Sequence, residues 1–177
     1  MESVIRPGAL LAVALGLLAG CGASPPAEPT PVPTGLMVET SAFGDGETIP
    51  PAFTCKGAGY RPTVSWTRST AKAFALVVDD PDAPEGDFYH WIVLDLPTGT
   101  TSVGATVPAS AHQAKNSSGA VGWTPPCPPS GTHHYRFTVY ALSAPTGLAA
   151  GASPQQAVDA IQAKATEQGV LTALASH

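Results

Sequence analysis

Apolar positions between residues 63 and 142 fall into runs too short for helices and bounded by turn formers. Ala73-Phe74-Ala75-Leu76-Val77-Val78 is continuously apolar and stops at Asp79-Asp80-Pro81. His90-Trp91-Ile92-Val93-Leu94-Asp95-Leu96 is a second run, closed by Pro97. In Tyr135-Arg136-Phe137-Thr138-Val139-Tyr140-Ala141 the pattern alternates. Tyr135, Phe137, Val139 and Ala141 share one face, and Arg136, Thr138 and Tyr140 the other. Such runs, separated by Gly and Pro, predict strands, with Thr63–Trp66 as a weaker one. One stretch carries helix signals. Ser153 can cap it, Pro154 suits its first position, and Gln156 completes a capping box. Ala157, Ile161 and Ala165 recur at helical spacing, and Gly169 can end the helix, with Val170-Leu171 as a short further element. Many strands followed by a late helix predict a mainly β chain, a β-sandwich with a short C-terminal helical appendage.

The N-terminus has a different pattern. Arg6 precedes an apolar run over residues 9–18, shorter than the roughly 20 residues that a spanning helix needs and matched to the core of an export signal. The run ends in Leu18-Ala19-Gly20-Cys21, which resembles a bacterial lipobox, in which the Cys is acylated and becomes the first mature residue. Pro25, Pro26, Pro29, Pro31 and Pro33 then exclude helix and paired strand and favour an extended tether. The expected organisation is a lipoprotein signal peptide at 1–20, a lipidated Cys21 with a Pro-rich tether at 21–35, and one domain at 36–177. The expected location is the bacterial cell envelope, with the membrane held through lipid.

Composition narrows the partners. Net charge is −5, and the 8 Lys and Arg residues are scattered without the basic stripe that nucleic-acid binding needs. Of the 3 Cys, Cys55 and Cys127 remain after Cys21. In an exported protein they are expected to form a disulfide, the alternative being two buried thiols. Cys spacing suggests no zinc site, and no cofactor is expected.

Two polar segments carry the candidate chemistry. Asp79-Asp80-Pro81-Asp82-Ala83-Pro84 leads to His90-Trp91, and Cys127-Pro128-Pro129-Ser130-Gly131-Thr132-His133-His134-Tyr135 lies far along the chain. Stiff proline turns beside ionisable groups at strand ends suit a small pre-shaped pocket. If the first two long strands form a hairpin, Asp80 and His90 become neighbours, and the carboxylate would favour the cationic imidazole. His133 and Tyr135 are two apart and share a strand face. The acids could equally cap the backbone of the turn.

Together these segments resemble the phosphatidylethanolamine-binding protein family, in its bacterial Raf-kinase-inhibitor-like branch. The resemblance runs from Ser41-Ala42-Phe43 and Ile49-Pro50-Pro51-Ala52-Phe53-Thr54-Cys55 through the two motifs, Asn116 and Gly119, to Val139-Tyr140-Ala141-Leu142. It implies two antiparallel sheets with short helices and a pocket for phosphate or a phosphorylated head group. The family's pocket acids correspond to Asp80 and Asp82, its histidines to His90 and His133, its prolines to Pro128 and Pro129, and its tyrosine to Tyr135. His134 stands where the family usually carries Arg. In such a pocket imidazolium and backbone N–H groups would receive the anion, and the tyrosine hydroxyl would donate to it. The expected function is a non-catalytic anion-binding module on an envelope lipoprotein. The alternatives are an inhibitor or partner-binding protein acting on an envelope enzyme, and a hydrolase using the Asp/His cluster. Two His and two Asp could in principle hold a metal, but the Pro- and Tyr-rich surroundings fit an anion better.

Overall fold

A computed structural model describes residues 1–2 and 31–177. The expected signal peptide from residue 3 onward, Cys21 and the expected tether up to residue 30 lie outside the described residues. Among the described residues no helix is long and apolar enough to cross a membrane.

The strands are β1 (Val38–Thr40), β2 (Val64–Trp66), β3 (Ala73–Asp80), β4 (Phe88–Pro97), β5 (Ser102–Val103), β6 (His112–Gln113), β7 (Thr132–Leu142) and β8 (Ala165–Ser176), with helix α1 (Pro154–Gln162) ahead of the last. They form two antiparallel sheets, β1-β2-β5 and β6-β4-β3-β7-β8. The mainly β, two-sheet fold with one short helix is as expected.

The helix is shorter than its spacing suggests. It has the full Ser153/Gln156 capping box, but it stops at Gln162, and Ala165 to Ser176 is a long strand paired along β7. Leu171, Ala173 and Ala175 point inward at period 2, and Gly169 lies within the strand, where it does not end the helix. A Cβ at Gly169 would lie 2.1 Å from the Leu36 carbonyl oxygen, so its role is to let the incoming chain cross the strand.

β3 is buried at every position because both faces of the large sheet are covered, which explains its unbroken apolar run. Phe74, Leu76 and Val78 face the small sheet, together with Trp91, Phe137, Val139 and Trp66. Ala73, Ala75 and Val77 face α1, whose Ala157 and Ile161 pack on Ile92, Leu94 and Leu142. Each large side chain buried this way contributes about 1.5–3 kcal/mol. The alternation continues past the apolar part of β3. Asp79 therefore falls on the helix face and Asp80 on the inter-sheet face, at the strand's end.

Candidate functional site

The β3–β4 hairpin is not in simple register at this end. Val78 pairs with Trp91, but Asp79 pairs with Tyr89 and Asp80 with Phe88, which leaves His90 as the extra residue of a bulge. Tyr89 packs toward the helix face and Trp91 toward the inter-sheet core. The bulge turns His90 to the Trp91 side, as bulges beside functional sites commonly re-aim a side chain. On the other side of β3, β7 carries His133 and Tyr135 on one face, two residues apart.

These strand ends enclose a cavity of about 260 Å³, lined by Asp80, Phe88, His90, Thr124, Pro129, His133 and Tyr135 and walled by Ala83, Pro84, Pro125 and Cys127. The volume suits a head group or small anion and is too small for a larger ligand. A wider groove of about 550 Å³ lies elsewhere on the surface, but its carboxylate, Glu167, already accepts from Ser69 at 3.0 Å.

Five of the seven ligand residues expected from the sequence line this cavity: Asp80, His90, Pro129, His133 and Tyr135. Asp82 does not. Its side chain stands on the exposed rim, where Oδ2 accepts from His134 N at 2.8 Å and pairs with His134 Nδ1 at 2.7 Å. These two bonds hold the Asp82 carboxyl below the usual carboxylate range. Pro128 is buried behind the wall, and its carbonyl bonds the His177 ring at 3.2 Å. The two polar segments do meet, and the Cys55–Cys127 disulfide forms as expected, with Cα atoms 5.3 Å apart. It ties the segment after Phe53 to the cavity wall, and Cys55 N–H donates to Pro126 O at 2.9 Å.

The imidazole pairing differs from the expected one. Asp80 Oδ2 bonds His133 Nδ1 at 2.8 Å, with both side chains buried. His90 instead turns Nδ1 to the Thr124 carbonyl oxygen at 2.8 Å. Burial lowers the His90 pKa, outweighing the Thr124 bond and the charge of Asp80, so the ring is not driven to the expected cationic form. The physical reason is the bulge, which places Phe88 rather than His90 opposite Asp80.

Thr124 was missed as a site residue because it acts through its backbone, and side-chain chemistry gives no signal for that. Its N–H also donates to His90 O at 2.9 Å. Buried Asn116 organises the loop that brings it there, donating to Gly122 O at 3.0 Å and to Thr124 Oγ1 at 2.7 Å.

Tyr135 is fully buried, and its hydroxyl has no hydrogen-bond partner. Asp80 is near enough to weigh on the phenol, although the two do not meet in good hydrogen-bond geometry. Burial first, then the Asp80 charge, push the phenol far above the usual tyrosine range, so it keeps its proton. Leaving such a donor unpaired costs about 1–3 kcal/mol. Among the described residues no His/Cys/Asp/Glu group has metal-site geometry.

Fold and cavity define a two-sheet β-sandwich with a small, largely apolar pocket at the strand ends, into whose lining an Asp, two His and a Tyr are set. The family model described as phosphatidylethanolamine-binding protein matches residues 39–176, and the chain belongs to that family. It is 42% identical over 186 aligned positions to "Putative lipoprotein LppC" of Mycobacterium tuberculosis, covering 93% of this chain and 90% of the relative. A UPF0098 protein of the archaeon Methanothermobacter thermautotrophicus is 37% identical, covering 72% of this chain and 89% of its own. Among solved structures, Escherichia coli YbcL, described as a member of the mammalian PEBP family, superposes with a TM-score of 0.75 at 26% identity. That match covers 80% of this chain and 98% of YbcL.

Proposed function

We propose that this protein is a non-catalytic envelope lipoprotein whose cavity receives a small oxyanion, either phosphate or a phosphorylated head group. The observation that carries the reading is the unpartnered Tyr135 hydroxyl, a buried donor in a cavity that two imidazoles also line. A ligand oxygen would satisfy it and recover part of its desolvation cost. The cavity's hydroxyl and thiol groups support a binding role over a catalytic one. Thr124 Oγ1 is engaged by Asn116, Cys127 is in the disulfide, and the Tyr135 phenol is held in its protonated form by burial and the Asp80 charge, so none of the three is a ready nucleophile.

The test is titration with phosphoethanolamine, read by NMR or calorimetry. Tyr135→Phe is expected to weaken binding about tenfold while leaving the melting temperature unchanged or slightly higher. Equal affinity in the variant would defeat the reading.

For the anchor, support comes from the Leu18-Ala19-Gly20-Cys21 motif and from the full-length likeness to a relative whose name describes a lipoprotein. Cys21→Ser is expected to release the domain or leave an unprocessed precursor. An unchanged mature mass would argue against lipidation at that residue.

A further inference from the structure

The cavity's hydrogen-bonding polarity carries a further inference, which rests on the oxyanion reading above. The Thr124 carbonyl can only accept, so the His90 Nδ1 that meets it at 2.8 Å is the nitrogen that carries hydrogen. In the neutral ring Nε2 is then a lone pair. The groups around His90 do not reverse this. Asp80 from β3 has its Oδ2 on His133, and the Tyr135 ring from β7 stands at 69° to the imidazole with centroids 5.2 Å apart. Phe88 on the same strand and Trp123 on the segment ahead of β7 are tilted aromatic rings with centroids at 4.8 and 6.4 Å. His133, the remaining titratable group in the lining, has Nδ1 turned to Asp80. The cavity therefore offers the Tyr135 hydroxyl as donor and, in the neutral rings, acceptors at His90 Nε2 and, by the same argument, at His133 Nε2, so the His90 variant below separates the two imidazoles.

We propose that His90 makes the pocket selective for oxyanions that bring their own acidic hydrogen, such as a singly ionised phosphate monoester. A fully ionised phosphodiester, which has only acceptor oxygens, binds only when His90 takes a proton from solvent. Burial of the ring, which lowers its pKa, adds to the cost of that uptake. The chemistry is the same whether the phosphate is free or part of a head group, but a monoester and a diester differ in it. A phosphate monoester keeps its last hydrogen up to about pH 6.

The experiment is calorimetry of the wild-type protein with methyl phosphate and dimethyl phosphate, in buffers of different ionisation enthalpy. Near pH 5.5 dimethyl phosphate is expected to bind with uptake of about one proton per site, and methyl phosphate with almost none. On the neutral side the diester's affinity is expected to fall about tenfold per pH unit. His90→Gln supplies an amide donor that does not titrate, and should remove both the uptake and the slope for the diester. Diester binding without net proton exchange in the wild type would overturn the inference, whatever the variant does. Binding of neither compound would overturn the oxyanion reading together with it.

Discussion

Asp79 and Asp80 are adjacent, equally buried and equally acidic in sequence, yet the structure treats them in opposite ways. Asp79 faces the helix side, where Arg136 grips it through Nε at 2.9 Å and through Nη2, and the same guanidinium reaches Asp87 at 3.5 Å. That side is nearly closed, with a residual space of about 80 Å³ between Tyr89, Tyr140 and Ile161. Asp80 faces the other way, shares a neutralising partner with no fixed charge, His133, and borders a cavity with an unpaired hydroxyl. A charge matched by arginine and covered by a helix acts as scaffold. A charge matched by imidazole beside an unfilled donor leaves work for a ligand. One peptide step along β3 separates the two because successive side chains point to opposite faces.

The most severe way to break the contrast is through the covalent tie on the open side. Replacing Cys55 and Cys127 by Ser opens a loop with a sequence separation of 72. Chain entropy alone would put the loss at about 4 kcal/mol, and losses of this kind typically fall at about 2–4 kcal/mol, read as a lower denaturation midpoint. Because Cys127 lines the cavity, anion binding should weaken with it. Retained binding in the folded variant would show that the wall holds its shape without the bond.

The pair of aspartates tests the comparison directly. Arg136→Met leaves Asp79 buried without its partner and is expected to cost about 2–3 kcal/mol, below the range for a fully buried pair because Arg136 is partly exposed. Asp80→Asn should cost only about 1 kcal/mol, since the amide oxygen can still accept from His133 and only the bond from Asp82 N–H, 2.9 Å from Oδ1, is lost, but it should change phosphate affinity. Equal destabilisation by the two substitutions, measured by urea unfolding, would erase the distinction between scaffold and site.

The smallest expected effect is in the pH dependence of stability. His90 has its folded-state pKa below the ordinary 6.5, so the unfolded chain takes the proton first as pH falls. Stability should therefore rise with pH across the window between that depressed value and 6.5, and be lost on acidification through it. In His90→Gln this segment of the stability profile should be flat. An unaltered slope would assign it to another group.

Strands β3, β4 and β7 and the convergence of the two polar segments were legible because apolar runs, stiff prolines and the period-2 alternation of Tyr135–Ala141 are local signals, whereas the two-residue β6 carries too short a pattern to read. The last strand was not legible, because Ala157, Ile161 and Ala165 continue a helical period past the point where the chain turns back. The inward alternation of Leu171, Ala173 and Ala175 uses small residues that also suit a helix. Nor was the choice of partner for each imidazole. A one-residue bulge at His90 and a backbone carbonyl at Thr124 decide it, and neither has a residue-type signature.

The path of the incoming chain along β8 has a mechanical consequence. Thr34 and Gly35 join the strand at Gln168, whereas Thr132 and His133, beside the cavity, pair with Ser176 and Ala175. That is roughly 25 Å of extended chain between the attachment point and the pocket. Tension arriving through residues 31–35 would enter the sandwich at one end of its longest strand pair, and the pocket opens at the other. The β7–β8 ladder stands between them as a strut, so any load entering there would be spread over its cross-strand bonds before it reached the Asp80–His133 contact. If the chain is held through its N-terminal segment, as proposed, the cavity end would be insulated from the end at which it is held.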